Sequence, residues 1–309
     1  MYDVIIIGAG PGGMTAAIYT HRANLKTLML EKAAPGGKMI NTWEVENYTG
    51  LGKVSGYEIS EKMFNHTQEL GIEYQYGDVV EVNDLGTEKE VITADGTKYK
   101  TKALIIGSGT EARKLGAPGE DRLSSKGISW CAVCDGSFFK GKHVLVVGGG
   151  NSAIEEAVFL TTMNVQVTVL NILDTLQADP KAIDQAKSTG MIDFMLGYEV
   201  VSFNGEEKLE SITIRNNKTK EEQTLNREGA FIFIGHIPET TFVKDLGITN
   251  LHGFIKTNER METSIPGVYG IGDVIEKELR QIVTAASDGA IAAQSSAKYI
   301  EALKSKKNT

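Results

Sequence analysis

Two stretches of this chain are written in the same grammar, and that repetition constrains the fold more than any other feature. Residues 2–32 read YDVIIIGAGPGGMTAAIYTHRANLKTLMLEK, which is a continuous apolar strand, a glycine turn, a helix rich in small residues and a second strand ending at Glu31. Residues 142–171 repeat the pattern as KHVLVVGGGNSAIEEAVFLTTMNVQVTVLN. Each stretch predicts a βαβ unit on a parallel sheet, so the expected class is α/β with two Rossmann-like dinucleotide-binding domains. A chain of 309 residues is long enough for two such cores.

The order of the remaining elements predicts how the two domains share the chain. Strand-like stretches fill residues 76–106, and KLGAPGE at 114–120 reads as a linker. FIFIGHIP at 231–238 reads as the end of another apolar strand, followed by GVYGIGD at 267–273 and a helical segment. We expect a discontinuous first domain, residues 1–114 plus 241–309, with a smaller domain inserted over 115–240. The last residues, KSKKNT, read as a frayed tail.

Within the first unit, Gly8, Gly10 and Gly13 form G-x-G-x-x-G, with Pro11 between the second and third. The first glycine permits the tight turn, the second lets backbone approach a pyrophosphate, and the third lets helix and strand pack closely. The phosphate then meets the positive end of the helix. Glu31 lies 23 residues beyond Gly8 at a strand terminus, where a carboxylate can accept both hydroxyls of a ribose. Strand, glycines, helix and acid together point to a bound nucleotide.

The second unit differs at the corresponding place. Its loop carries Gly148, Gly150 and Ala153, but the same 23-residue step from Gly148 lands on Asn171. That residue is neither the acid that holds an NAD ribose nor a base for an NADP phosphate. The following residues, Ile172 to Gln177, contain no Arg or Lys, and Asp174 and Asp179 would repel a phosphate. The second loop is therefore expected to be a structural relic.

Both cysteines of the chain fall in WCAVCDG, as Cys131 and Cys134, with Asp135 immediately after. A structural zinc needs four ligands, yet there is no second cysteine pair and the five histidines are scattered, so no metal is expected. C-x-x-C suits thiol–disulfide exchange, with one thiol activated at a helix start. Asp135 either carries protons for the departing thiolate or caps a turn, and the sequence leaves both open.

Composition excludes other classes. A net charge of −8 argues against a nucleic-acid binder. No apolar run reaches the roughly 18 residues of a membrane helix, and no signal peptide precedes the first strand, so a cytoplasmic location is expected.

With GAGPGG, GGK at 36–38, ENYTG at 46–50, WCAVCDG, GGGNSA and GIGDVIEKELRQIVTAASDG in this order, the chain resembles the low-molecular-weight bacterial thioredoxin reductases along its whole length. The resemblance implies FAD in the first domain. Gly8, Gly10, Pro11 and Gly13 would face its pyrophosphate and Glu31 its adenosine ribose. Gly37, Lys38 and Asn47 would line the cofactor, Lys38 standing where the family usually has Gln. Gly272 and Asp273 would meet the ribityl chain, with Arg280, Gln281, Ile282 and Val283 near the flavin. Cys134 would be the sulfur nearest the flavin, Cys131 its partner and Asp135 the acid/base, passing electrons to thioredoxin. A homodimer is implied as well.

One departure bears on the electron donor. Members using NADPH carry H-R-R-x-x-x-R after the second βαβ unit, where this chain has NILDTLQ at 171–177. In this respect it resembles the ferredoxin-dependent flavin thioredoxin reductases, which need no nicotinamide. Ferredoxin is usually acidic, and Lys38, Arg113, Lys114, Lys140, Lys142 and Lys277 are candidates for a basic docking patch. Alternatives are an NAD(P)H-dependent thioredoxin reductase and a flavin-dependent dithiol oxidase that passes electrons to oxygen.

Overall fold

A computed structural model describes residues 1–42 and 45–307 of the chain. It divides into two compact units, Met1–Glu111 with Ile237–Thr309 and Ala112–His236. The chain passes between them at 111–112 and 236–237, rather than at the 114–115 and 240–241 read from the sequence.

The first unit opens with β1 (Tyr2–Ile7), α1 (Pro11–Arg22) and β2 (Thr27–Glu31). There follow α2 (Gly56–Glu69), β3 (Glu73–Tyr76), β4 (Val79–Asp84), β5 (Lys89–Thr93) and β6 (Lys98–Ile106). Val4, Ile5 and Ile6 are wholly buried, and an unbroken apolar run of this kind is what a strand covered on both faces requires. Parallel pairing sets Ile7 against Leu30 on one side and Ile106 on the other.

After the short strand β7 (Thr110–Ala112), the second unit contains β8 (Ile128–Ser129), α3 (Ala132–Asp135), β9 (His143–Val147), α4 (Asn151–Thr162) and β10 (Gln166–Asn171). It continues through α5 (Pro180–Ser188), β11 (Ile192–Leu196), β12 (Tyr198–Asn204), β13 (Ser211–Asn216), β14 (Glu222–Asn226) and β15 (Ala230–Ile232). Its parallel sheet runs β11-β10-β9-β15-β8, and β12-β13-β14 form a separate antiparallel sheet. Ala132 and Phe139 join Val144, Val146, Ala153, Ala157 and Leu160 in one core cluster, so the cysteine segment is packed onto the second βαβ unit.

The apolar strand read as ending in FIFIGHIP is β15, which stops at Ile232, and a further short strand, β16 (His236–Pro238), follows it. Gly235, at φ +111°, precedes β16 in a conformation that favours glycine. The chain then closes the first unit with β17 (Val268–Gly270) and α6 (Ile282–Lys307). α6 continues through Lys307, so most of the tail read as frayed is helical, and residues 308–309 lie outside the described part. In the first sheet the parallel strands run β3-β2-β1-β6, with β17 beside β6 and β5-β4 added antiparallel. The carboxyl ends of β1, β2, β6 and β17 are where the glycine loop, Glu31 and Asp273 emerge. In open α/β sheets this is the edge at which ligands bind. Among the described residues, no helix is long and apolar enough to cross a membrane.

Candidate active site

Cys131 and Cys134 are joined as a disulfide at the start of α3, with Cα atoms 5.3 Å apart. Cys131 is the N-cap of that helix, and its Sγ accepts the Cys134 N–H at 3.2 Å. A thiolate at Cys131 would keep this bond and gain from it, because a charged acceptor binds an N–H more strongly. Asp135 caps nothing with its side chain. Its Oδ2 accepts the Ser129 hydroxyl at 2.6 Å, and the same hydroxyl oxygen accepts the Cys131 N–H at 3.0 Å. Burial pushes the Asp135 carboxyl above the usual carboxylate range, with the Ser129 bond opposing it. A carboxyl raised in this way is suited to hold a proton and release it.

In the first unit the glycine loop follows β1. Gly8 has φ +102°, and a Cβ there would lie 2.3 Å from the Gly107 carbonyl oxygen. A Cβ on Gly13 would lie 1.9 Å from the Gly8 oxygen, so both positions are closed to any side chain. Gly10 is different, because a Cβ there would meet nothing within 4 Å. Pro11 follows as the first residue of α1, where its missing N–H costs nothing. Glu31 accepts the Ala9 N–H at 2.8 Å and the Ala33 N–H at 2.9 Å, which fixes the carboxylate beside the loop with lone pairs remaining for a ribose.

The structure also gathers sequence-distant candidates. Lys38 Nζ lies 2.7 Å from Asp273 Oδ2 and donates to Thr110 at 2.9 Å. Asn47, which is exposed, donates to Gln281 Oε1 at 3.1 Å. Arg280 points its guanidinium at the Asp273 and Ile275 carbonyls and stacks over Phe254, 4.8 Å from the ring centre. Burial holds its guanidinium below the usual arginine range. Gly37, at φ +59°, approaches Gly10, since its Cβ would stand 3.5 Å from that Cα. Gly272 has φ +70° and donates its N–H to Asp288 at 2.9 Å, and Ile282 begins α6.

The family model for pyridine nucleotide-disulphide oxidoreductases matches residues 2–289. A thioredoxin reductase of Bacillus subtilis is 49% identical over 304 residues, covering 98% of this chain and 96% of that one. The crystal structure of a thioredoxin reductase from Streptococcus pyogenes superposes with a TM-score of 0.92 at 44% identity, covering 98% and 99% of the two chains. A Clostridium pasteurianum protein described as a 34.2 kDa protein in the rubredoxin operon is 41% identical over 298 residues, 96% of this chain and 97% of its own.

The chain belongs to the thioredoxin reductase family. Thioredoxin reductases are flavoproteins that act on disulfides, and the family binds FAD. The first unit fits that cofactor: an open approach at Gly10 beside the start of α1, with Glu31 at the end of the next strand, suits an adenine dinucleotide.

In the second βαβ unit the glycine loop is well formed, with Gly148 at φ +139° and nothing within 4 Å of a Cβ on Gly150. The segment after β10 is tied onto that loop. The Gln177 N–H donates to the Gly149 carbonyl at 2.7 Å, and Asn171 donates to the Thr175 carbonyl at 2.7 Å and to Gln177 Oε1 at 3.2 Å. A Cβ on Gly149 would lie 2.4 Å from the Asn171 amide nitrogen. Ile172 and Leu173 stand more than half exposed, and Lys218 approaches the segment but pairs with Asp174 at 2.7 Å.

Of the six cations read as docking candidates, Lys277 is misplaced in that role. It is half-buried and its charge is paired with Asp288 at 2.5 Å. Lys38, Lys114 and Lys142 pair with Asp273, Asp121 and Glu228, while Arg113 and Lys140 are exposed. Sequence reasoning missed Ser129, and missed Asp288 as the partner of Lys277. For Ser129 a signal existed, because a hydroxyl residue two places before the first cysteine is within reach of a helix that starts there. Lys277 and Asp288 are eleven positions apart, with no local pattern linking them.

Proposed function

We propose that this protein is a cytoplasmic thioredoxin-disulfide reductase that takes its electrons from reduced ferredoxin rather than from NADPH. In this reading FAD lies along Gly8, Gly10, Pro11 and Gly13, with its ribose at Glu31. Gly37, Lys38, Asn47, Gly272, Asp273, Arg280, Gln281 and Ile282 surround the rest. Bound FAD supplies the electrons that open the Cys131–Cys134 disulfide. Two electrons and two protons yield two thiols, which then transfer both to thioredoxin's disulfide by way of a mixed disulfide. Cys131, whose sulfur already accepts the Cys134 N–H, is the sulfur better able to carry the thiolate. Asp135 holds and returns the proton.

The observation that carries the donor assignment is the stretch Asn171–Asp179. It contains no Lys or Arg, its acids are Asp174 and Asp179, and it exposes Ile172 and Leu173 where a phosphate would need cations. Two ferredoxins, each delivering one electron, balance one disulfide. The second reading, an NAD(P)H-dependent enzyme, is favoured by the open Gly150 and by the pyridine nucleotide in the family's description. We also infer a homodimer, which light scattering on the purified protein tests directly.

Anaerobic reduction of the FAD-loaded protein separates the donors. Reduced ferredoxin should bleach the flavin absorbance and support thioredoxin reduction, while NADPH and NADH at micromolar concentration should leave the flavin oxidised. Rapid bleaching by NADPH overturns the donor assignment. Fast peroxide formation from small dithiols, without thioredoxin reduction, would instead identify a dithiol oxidase.

A further inference from the structure

Ser129 ends β8 two residues before the disulfide and is almost wholly buried. Its hydroxyl oxygen has three neighbours: the Asp135 carboxylate at 2.6 Å, the Cys131 N–H at 3.0 Å and the Cys131 carbonyl at 3.3 Å. A hydroxyl has one proton and two acceptor lone pairs. With Asp135 ionised, the proton goes to the carboxylate at the shorter distance, and the Cys131 N–H fills a lone pair. Once Asp135 takes up a proton, the carboxyl O–H can donate to the Ser129 oxygen and the Ser129 proton can turn to the Cys131 carbonyl. Every partner is satisfied in both states, with only the hydroxyl rotating. Buried polar groups left unpaired are costly, so this arrangement lets a buried carboxyl change protonation state without moving.

We propose that Ser129 is a positioning residue for the thiol–disulfide chemistry: its hydroxyl fixes the Asp135 carboxyl to the backbone of Cys131, so the proton carrier stays in register with the sulfurs through both protonation states. The hydrogen bonds of the Ser129 hydroxyl go to Asp135 and the Cys131 backbone rather than to a sulfur, so it acts through Asp135. The charged groups on the elements packed against α3 are Glu155 and Glu156 of α4 and, after the 3-10 turn Gly136–Phe139, Lys140. The influences that move Asp135 are burial and the Ser129 bond. The hydroxyl is therefore the local group that favours the ionised carboxylate.

This inference rests on Asp135 as the proton carrier, and the test separates the two claims. The FAD-loaded protein, reduced with dithiothreitol and freed of it, is alkylated with iodoacetamide from pH 5 to pH 10, and the rate is followed for the parent, Asp135→Asn, Ser129→Ala and Ser129→Thr. The parent profile should contain an inflection that Asp135→Asn removes. Ser129→Ala should move that inflection to higher pH, because the ionised carboxylate loses its donor, and Ser129→Thr should restore it. If Ser129→Ala does not fold, Ser129→Gly serves in its place. Superposition of the Ser129→Ala and parent profiles, with Asp135→Asn distinct, overturns the role of Ser129 alone. An Asp135→Asn profile identical to the parent overturns the role of Asp135 as well.

Discussion

Installing the missing cations tests the donor assignment from the opposite direction. The triple variant Ile172→Arg, Leu173→Arg and Gln177→Arg rebuilds a basic cluster after β10. Ile172 and Leu173 are 58% and 52% exposed, so replacing them removes little packing. Gln177 contributes its backbone N–H to Gly149, a bond that any residue keeps, and loses the acceptor it offers Asn171 and its side-chain donation to the Thr175 carbonyl. Each arginine reaching a 2′-phosphate contributes about 1.5–3 kcal/mol. Ordering each long side chain costs about 0.5–1.5 kcal/mol, and Asp174 and Asp179 oppose the phosphate. The net is about 3–4 kcal/mol, or roughly 100- to 1,000-fold in affinity. NADH lacks the 2′-phosphate and should gain almost nothing. The ratio of NADPH to NADH affinity, measured by calorimetry on parent and variant, thus isolates the cluster from every other feature of the fold. Micromolar NADPH binding by the parent, or a variant binding NADPH no better than NADH, refutes the reasoning.

Glu156 on α4 has a buried Oε2 without a hydrogen-bond partner among the described residues, and burial pushes its carboxyl up from 4.5 to about 7. Below pH 4.5 it is protonated folded or unfolded; between 4.5 and about 7 only the unfolded chain ionises, so stability falls as pH rises and stays low above that window. Allowing for the solvent that still reaches it, the loss is about 2–3 kcal/mol. Glu156→Gln should therefore raise the stability measured by urea denaturation at pH 8 and leave it unchanged at pH 4, whereas an equal effect at both would contradict the assigned cause. The two glycines of the first loop should fail differently. Gly10→Ala meets open space, so it should fold normally yet retain less FAD, read as the ratio of flavin to protein absorbance. Gly13→Ala places a Cβ against the Gly8 oxygen and should lower the melting temperature of the FAD-free chain as well.

Much of the fold was legible because the apolar runs at Tyr2–Ile7 and His143–Val147 are bounded by glycines and followed by helices of small residues. What escaped depends on distance or on a single dihedral angle. FIFIGHIP is apolar over most of its length, yet β15 ends at Ile232 and Gly235, at φ +111°, precedes a separate β16. Lys277 looks like surface in sequence because burial of a lysine depends on a partner, here Asp288 on another element. In the candidate site, spacing alone made Glu31 and the cysteines visible. The pairing of Lys38 with Asp273 required the first unit to bring the two ends of the chain together.

The second glycine loop is held in place by packing, whatever it binds. A Cβ on Gly148 would lie 2.3 Å from the Phe233 carbonyl and 3.0 Å from Ala153, so the turn needs glycine there for packing alone. Ala153, Ala157 and Leu160 share a core cluster with Ala132, which lies between the two cysteines. Loss of the βαβ packing would thus disturb the disulfide even if no dinucleotide ever bound. Packing constrains Gly148 and Ala153, whereas Asn171, Ile172, Leu173 and Gln177 sit where only a ligand would demand acid or cation. Of the positions a ligand alone would impose, Asn171, Ile172, Leu173 and Gln177 differ from the NADPH pattern, whereas Gly150, where a Cβ would meet nothing within 4 Å, is kept.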